Sequence, residues 1–159
     1  MVTLIGMGSG KWEALSAQAQ AAVRGAGLVF GAKRLLAGLP ADCTARQFAL
    51  YQPADILEML AQNPGQDAAV LYSGDTGFYS GASGLLTPLR ALGIPARVYP
   101  GVSSVQLLSA ALGRPWQDWK LVSAHGCACD PVAACMINHS VFFLTGGTET
   151  PATLCRKLA

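Results

Sequence analysis

The sequence predicts an α/β fold with a mostly parallel sheet that is covered by helices on both faces. Apolar segments of strand length alternate with amphipathic segments of helix length as far as residue 112. Residues 68–72, Ala-Ala-Val-Leu-Tyr, are almost entirely apolar, as is typical of a strand buried on both faces. Glycine-rich loops follow two of the apolar segments, at residues 6–10 and 73–81. Because parallel strands end at one edge of the sheet, where α/β folds bind ligands, these loops are expected to lie together.

The predicted elements before residue 113 alternate strictly in type. Strands are expected at residues 2–5, 27–30, 45–50, 68–72 and 96–99. Helices are expected at residues 12–24, 33–39, 55–62, 83–92 and 103–112. The first helix has an apolar face at helical spacing, formed by Leu15, Ala19, Ala22 and Val23.

The segment Gly113-Arg-Pro-Trp-Gln-Asp-Trp119 marks a seam between two domains. After it, strands are expected at residues 120–124 and 140–144, and helices at residues 131–137 and 148–159. We therefore expect an N-terminal α/β domain at residues 1–113 and the beginning of a second α/β domain at residues 114–159. The second domain is expected to be incomplete, that is C-terminally truncated, because two strands and two helices do not form a sheet core of usual size.

Composition and charge exclude several classes of protein. The net charge of +2 provides no basic patch, so no nucleic-acid partner is expected. No segment approaches the ~18 apolar residues of a membrane span, and the first residues lack the basic leader of a secretory signal. The five cysteines show no spacing typical of disulfides, so reduced thiols and a cytoplasmic location are expected.

The chain carries little charge for its length. Charged residues make up 13% of the sequence, against about 25% in a typical soluble protein. Residues 121–144 contain one charged side chain, that of Asp130. We therefore expect an exposed apolar patch in the C-terminal third unless a partner covers it.

Three cysteines lie close together in the sequence, Cys127, Cys129 and Cys135. Zinc sites usually pair two Cys-x2-Cys units, and here only His125 or His139 offers a fourth ligand. We therefore expect no metal site and interpret the three cysteines as small apolar residues at the start of a helix.

The two glycine-rich loops differ in how directly they indicate a ligand. Gly6-Met-Gly-Ser-Gly10 matches neither the dinucleotide fingerprint nor a phosphate-binding loop, so it is either a tight turn or a ligand-facing loop. In the second loop, Gly74 allows close backbone approach, and Asp75 can accept hydrogen bonds from a ribose or an ammonium group. Phe78 and Tyr79 offer flat apolar surfaces for a ring. The alternative role for Asp75 is a helix N-cap.

Two further loops follow predicted strands. In Tyr99-Pro-Gly-Val-Ser-Ser104, Ser103 and Ser104 open a helix, where hydroxyl groups and backbone amides suit polar or anionic groups. Simple capping is the alternative for one of the two serines. In Ser123-Ala-His-Gly126, His125 is a candidate acid, base or substrate contact, and a surface histidine is the alternative.

Taken in order, these four segments resemble those of the tetrapyrrole (corrin/porphyrin) methyltransferases. The form Ser-Gly-Asp-Thr-Gly-Phe-Tyr-Ser, together with Pro-Trp-Gln-Asp-Trp and Ser-Ala-His-Gly, is most similar to the precorrin-6Y methyltransferase branch. That branch methylates carbon 5 in cobalamin biosynthesis. The resemblance covers essentially the whole chain and implies the tetrapyrrole methylase fold.

The resemblance also implies S-adenosylmethionine as the cofactor, a tetrapyrrole (precorrin) substrate and a homodimer. The residues that match cofactor-binding positions are Ser9, Gly74, Asp75, Phe78, Ser103, Ser104 and Thr145. The residues expected to contact the substrate are Gly8, Tyr79 and His125. Two positions depart from the family: Ser9 replaces a proline of the glycine loop, and Cys127 replaces an arginine after the Ser-Ala-His-Gly segment.

The expected activity is methylation of a precorrin or cobalt-precorrin at carbon 5, with the chemistry at carbon 15 left to a separate subunit or fused domain. Because a sulfonium donor is already activated, positioning can supply much of the rate enhancement, and no catalytic side chain is singled out. The family continues for some tens of residues beyond the position of Ala159. The alternatives are a truncated module without turnover and a methyltransferase for another tetrapyrrole position.

Overall fold

The structure, a computed structural model that describes residues 1–125 and 129–159, confirms the α/β fold. Its strands are β1 (Val2–Gly6), β2 (Leu28–Gly31), β3 (Arg46–Phe48), β4 (Ala68–Tyr72), β5 (Ala96–Tyr99), β6 (Lys120–Ser123) and β7 (Val141–Leu144). The first five form a parallel sheet in the order β3-β2-β4-β1-β5. Strands β6 and β7 form a separate parallel pair.

Helices connect these strands. They are α1 (Ala17–Gly25), α2 (Lys33–Leu36), α3 (Pro53–Gln62), α4 (Ala82–Ala91), α5 (Ser104–Leu112), α6 (Pro131–Ile137) and α7 (Pro151–Leu158). Among the described residues, no helix combines the length and the apolar content that a membrane span requires. The chain divides into two compact units, Met1–Ser103 and Ser104–Ala159.

The central strands β1, β2 and β4 alternate their side chains between two apolar layers. On one face, Ile5, Val29 and Leu71 pack with Val23 of α1 and Leu35 of α2. The other layer contains residues of the same three strands together with residues of α3 and α4. Its buried members are Val2, Leu4, Leu28, Phe30, Ile56, Ala68, Val70, Ala82, Leu85 and Leu89. Helices therefore cover both faces, which accounts for the almost entirely apolar sequence of β4.

Strands β4 and β1 are neighbours in the sheet, but the chain leaves them toward opposite faces. The loop after β1 leads to α1, which packs on one face, whereas the loop after β4 leads to α4, which packs on the other. After the carboxyl ends of β1 and β4 the two connections therefore continue to opposite faces of the sheet, the arrangement in which open α/β sheets form ligand crevices. This strand order determines where the candidate site lies.

The predicted helix at residues 12–24 is wrong in its first half. A single 3-10 turn covers Trp12–Ala14, the backbone is extended at Leu15 and Ser16, and α1 begins only at Ala17. The Ser16 hydroxyl accepts a hydrogen bond from the backbone N–H of Ala19 at 3.2 Å, so this serine caps the helix. The other predicted elements agree with the observed ones to within about three residues at each end.

The second unit contains α5, the β6–β7 pair, α6 and α7. The division falls between Ser103 and Ser104 rather than after Gly113, so α5 groups with the C-terminal segment and not with the expected 1–113 domain. The reason lies in the apolar face of α5, since Leu108 and Leu112 line a groove together with residues of β7.

Helix α6 carries apolar side chains that face solvent in the described chain. Met136 is 79% exposed, Ile137 is 83% exposed and Val132 is 47% exposed. All three lie within residues 121–144, where Asp130 is the one charged residue. The structure therefore places exposed apolar side chains in the C-terminal third, as the charge distribution predicts.

Candidate functional site

The loops after β1 and β4 are joined by backbone hydrogen bonds. The N–H of Gly8 donates to the carbonyl of Gly74 at 3.0 Å, and the N–H of Gly74 donates to the carbonyl of Gly8 at 3.0 Å. The N–H of Met7 also donates to the carbonyl of Tyr72 at 2.8 Å. Both glycines have positive φ, +55° and +64°, a region that residues with side chains rarely adopt. The two glycine-rich loops thus meet as predicted, and they do so through glycine.

A third loop, after β5, closes on the other two through Gly101. A Cβ atom at Gly6 would lie 2.7 Å from the Gly74 carbonyl oxygen and 2.6 Å from the Gly101 nitrogen. A Cβ atom at Gly101 would overlap the Gly74 carbonyl oxygen and would lie 2.6 Å from the Gly6 oxygen. Because real Cβ atoms do not approach backbone so closely, the three loops can meet in this way only through glycine.

Asp75 ties the second loop to the third. Its Oδ1 atom accepts a hydrogen bond from the N–H of Gly77 at 2.8 Å, and its Oδ2 atom accepts one from the N–H of Gly101 at 3.1 Å. The alternative prediction that Asp75 caps α4 is wrong, since the capping position is Gly81 and no side chain caps the helix there. The carboxylate keeps further acceptor positions, because each oxygen has two lone pairs.

The aromatic pair of the second loop lies close to Asp75 in sequence and has an unusual backbone. The rings of Phe78 and Tyr79 lie edge to face, with centroids 4.9 Å apart. Tyr79 has a φ of +47°, which is uncommon for a residue with a side chain, and it is 52% exposed. Backbone strain of this kind clusters at functional sites, which supports Tyr79 as a candidate contact for a flat ligand.

The serines predicted as cofactor contacts differ in accessibility. Ser9 is exposed between Gly8 and Gly10. Ser103 is buried, with 4% exposure, and it directly precedes Ser104, the exposed first residue of α5. Exposure therefore favours Ser9 and Ser104 over Ser103 as side-chain contacts, and the cofactor role of Ser103 stays a prediction.

In the second unit, His125 and Thr145 follow neighbouring parallel strands. The N–H of Ala124 donates to the carbonyl of Leu144 at 2.9 Å, so the two strand ends are held together. The imidazole of His125 lies so close to Gly146 that a Cβ atom there would overlap it. The structure therefore brings these two predicted positions to one edge of the β6–β7 pair.

Gly126 of the histidine segment and Cys127 lie outside the described residues. Within residues 1–125 and 129–159, no three His, Cys, Asp or Glu side chains form a group that could hold a metal ion. Cys129 and Cys135 are free thiols.

Arg34 lies at the site, although no motif in the sequence points to it. Its Nη2 atom donates a hydrogen bond to the hydroxyl of Ser73, in the loop after β4. Its Nη1 atom lies 4.0 Å from the position that a Cβ atom at Gly10 would take, in the loop after β1. Only its position in the sequence could have indicated this, because Lys33 and Arg34 come just after β2, at the edge of the sheet where ligands bind.

Burial raises the pKa of the Tyr72 phenol from 10.0 to about 12. Tyr72 ends β4, and its carbonyl accepts the hydrogen bond from Met7. Because a desolvated phenol resists ionisation, Tyr72 stays neutral across the physiological pH range.

Comparison with known proteins identifies the family. The sequence profile of the tetrapyrrole (corrin/porphyrin) methylases matches residues 1–159. The chain belongs to this family. The match includes all three converging loops of the first unit and the His125 and Thr145 segments of the second, so the resemblance inferred from the four loop segments is confirmed.

Two relatives with functional names are similar over much of their length. The chain is 32% identical to the cobalt-precorrin-7 C(5)-methyltransferase of Salmonella typhimurium, over 99% of this chain and 77% of the relative. It is 30% identical to the probable cobalt-precorrin-7 C(5)-methyltransferase of Methanocaldococcus jannaschii, over 79% of this chain and 61% of the relative. Both relatives are named for methylation of cobalt-precorrin-7 at carbon 5.

Solved structures of the family share the fold. The precorrin-6Y methylase of Archaeoglobus fulgidus matches with a TM-score of 0.69 at 18% identity, over 94% of this chain and 75% of that one. The uroporphyrin-III C-methyltransferase of Thermus thermophilus, complexed with S-adenyl homocysteine, matches with a TM-score of 0.71 at 21% identity, over 98% of this chain and 72% of that one. The tetrapyrrole methylase fold is therefore confirmed.

Proposed function

We propose that this chain transfers a methyl group from S-adenosylmethionine to carbon 5 of a precorrin or cobalt-precorrin in cobalamin biosynthesis. The observation that carries the proposal is the 32% identity to a cobalt-precorrin-7 C(5)-methyltransferase across 99% of the chain. The archaeal relative, which is also named for methylation at carbon 5, supports the same position.

The residues at the carboxyl edge of the first sheet fit the cofactor chemically. No atom lies within 4 Å of the position that a Cβ atom at Gly74 would take, so its backbone is open to a ligand. The Asp75 carboxylate keeps acceptor positions for hydroxyl or ammonium groups beyond its two backbone hydrogen bonds. Phe78 offers a ring face for a flat heterocycle. When bound, S-adenosylmethionine supplies a methyl group on a sulfonium that is already activated for displacement.

The residues of this chain then act by holding the reactants in place. The proposed cofactor contacts are Ser9, Gly74, Asp75, Phe78, Ser103, Ser104 and Thr145. The proposed substrate contacts are Gly8, Tyr79 and His125. Orienting two bound reactants can supply much of the rate enhancement of a displacement, so the proposal needs no acid or base beyond these contacts.

The proposal includes a cytoplasmic homodimer and a separate protein or domain for the chemistry at carbon 15. A Sinorhizobium relative is named as a decarboxylating precorrin-6Y C(5,15)-methyltransferase, and the chain matches 32% of its length at 30% identity. That longer protein has room for a second catalytic region, which supports assigning only the carbon-5 step to this chain. The exposed Met136 and Ile137 offer apolar area that a second copy can cover.

Calorimetry with S-adenosylhomocysteine tests the cofactor assignment. We expect the wild-type chain to bind this analogue and Asp75→Ala to weaken binding by about tenfold or more, because two loops lose their shared acceptor. Asp42→Ala is the matched control, since that exposed carboxylate pairs with Arg24 at 3.5 Å and such surface pairs contribute little. Wild-type affinity in Asp75→Ala would refute the assignment of this loop to the cofactor.

The two alternatives predict other outcomes in a turnover assay. A module without turnover binds the analogue but leaves cobalt-precorrin-7 unchanged. A methyltransferase for another position converts a different tetrapyrrole, such as uroporphyrinogen III, and leaves cobalt-precorrin-7 unchanged as well. Assays of both substrates with the same preparation therefore separate the three functions.

A further inference from the structure

We propose that Arg34 binds a peripheral carboxylate of the tetrapyrrole substrate and thereby orients the macrocycle at the carboxyl edge of the first sheet. This inference rests on the proposed function, because a precorrin carries several acetate and propionate side chains. Arg34 belongs to α2 and lies outside the four segments that resemble the family.

The first support is the way in which the guanidinium is anchored. The Nη2 atom of Arg34 donates a hydrogen bond to the hydroxyl of Ser73, which begins the loop that carries Gly74 and Asp75. The bond uses one of the five N–H donors of the planar guanidinium. A side chain that is already held loses less conformational freedom when it binds a ligand.

The second support is the location of this guanidinium. Helix α2 follows β2, which neighbours β4 in the sheet, so Arg34 lies at the carboxyl edge beside the β4–β1 crevice. Its Nη1 atom is 4.0 Å from the Cβ position of Gly10. A Cβ atom at Gly38, just after α2, would lie 2.9 Å from the Gly10 carbonyl oxygen, so the first glycine loop packs against this helix. Arg34 therefore borders both loops of the crevice.

The third support is that the charge of Arg34 is available. Arg34 is exposed, and the carboxylate of the adjoining loop, that of Asp75, accepts hydrogen bonds from the backbone of Gly77 and Gly101. The ion pairs found among the described residues are Met1–Asp67, Arg24–Asp42 and Lys157–Glu149. Lys33 adds a second exposed cation next to it. A guanidinium with open N–H pairs binds carboxylates with two parallel hydrogen bonds.

The test measures the binding of a corrin with free carboxylates, cobyrinic acid, and of its neutral heptamethyl ester, in parallel with S-adenosylhomocysteine. We expect Arg34→Gln to weaken cobyrinic acid binding by about tenfold or more, and Arg34→Lys to restore part of it. Binding of S-adenosylhomocysteine is expected to stay within about twofold of wild type. Arg90→Gln, in the last turn of α4 near the opposite edge of the sheet, is the matched control and is expected to bind both ligands normally.

The outcomes separate this inference from the proposed function. Unchanged cobyrinic acid binding in Arg34→Gln, an equal loss for the ester, or a loss confined to S-adenosylhomocysteine would each overturn the role of Arg34 and leave the proposed function standing. A wild-type chain that binds neither S-adenosylhomocysteine nor cobyrinic acid would refute both. Ser73→Ala provides a second variant that keeps the charge, and it is expected to weaken cobyrinic acid binding by a few fold because the anchor is lost.

Discussion

At the scale of single residues, the three loops of the first unit depend on Gly6 and Gly101, whose backbones meet where no Cβ atom fits, and on Gly74, which has a φ of +64°. The sequence predicts the loops and their common edge, because glycines after strands and the alternation of elements are visible in the pattern. It does not predict that Gly101 meets Gly6. That contact exists only because β5 pairs with β1, and no local signal encodes the strand order.

The close approach of Gly101 to the backbone of Gly6 and Gly74 predicts that a side chain at Gly101 lowers the stability of the fold. Gly101→Ala is expected to lower the free energy of unfolding by about 2 kcal/mol or more, roughly 5 °C in Tm, because the new Cβ atom meets backbone that cannot move aside. Gly25→Ala is the matched control, since nothing lies within 4 Å of its Cβ position at the end of α1. Thermal unfolding followed by circular dichroism measures both variants. Equal midpoints for the two would contradict the close contact.

Because no local signal encodes the strand order, the sequence predicts only part of what Asp75 does. The residue types around it place it in a glycine-rich loop at the carboxyl edge of the sheet, and the structure shows that loop there, while its contact with a ligand stays a prediction. Its hydrogen bond to Gly101 joins residues that are 26 positions apart, so the pattern does not reveal it. The role of Asp75 is thus at least partly to hold two loops together, and its effect on a ligand includes this effect on the loops.

The raised pKa of Tyr72 predicts how the free energy of unfolding changes at alkaline pH. The folded pKa of about 12 lies above the ordinary value of 10.0, so the native state favours the neutral phenol. The contribution of Tyr72 to the free energy of unfolding is present below about pH 10 and is lost as the pH rises toward 12, because the phenol ionises more readily in the unfolded chain. Tyr72→Phe is therefore expected to lose less stability than wild type over this range. Urea unfolding at several pH values measures this, and an identical pH dependence in both chains would count against it. Tyr51→Phe, at a 65% exposed position, is the control.

At the scale of secondary-structure elements, boundaries are predicted well where a local signal marks them. The bounds predicted for β4, β5 and α6 match the structure. An apolar run between polar flanks defines β4, prolines on both sides define β5, and a proline at the helix start defines α6. The prediction of a helix over residues 12–24 is wrong in its first half because the apolar spacing there is not matched by helical backbone. Trp12 and Leu15 are buried and continue the apolar spacing, but a 3-10 turn brings them to the core before the helix begins.

The start of α1 can be tested through its cap. Ser16→Ala is expected to lower the free energy of unfolding by about 1 kcal/mol, or roughly 2–4 °C in Tm, because the N–H of Ala19 loses its acceptor. Ser83→Ala, at an exposed position inside the first turn of α4, is the control and is expected to change stability little. Should both substitutions prove equally mild in urea unfolding, the assignment of Ser16 as the cap would be wrong.

At the scale of the whole molecule, the distribution of charge is the property that the sequence predicts most directly. The exposed apolar residues of α6 follow from a segment with one charged side chain, and composition alone indicates them. The division of the chain is predicted less well, because the seam at residues 113–119 has the composition of a linker, whereas the packing of α5 beside β7 is a property of the folded unit. The position of Arg34 beside the crevice likewise depends on strand order.

The central claim is methylation of a cobalt-precorrin at carbon 5. The most direct measurement gives this chain S-adenosylmethionine with an isotopically labelled methyl group together with cobalt-precorrin-7, and locates the label in the product by NMR. The account predicts one labelled methyl group at carbon 5, and little or none with Gly101→Ala, whose loops can no longer meet. A chain that binds S-adenosylhomocysteine but leaves cobalt-precorrin-7 unlabelled, or labels it at another carbon, would contradict the account.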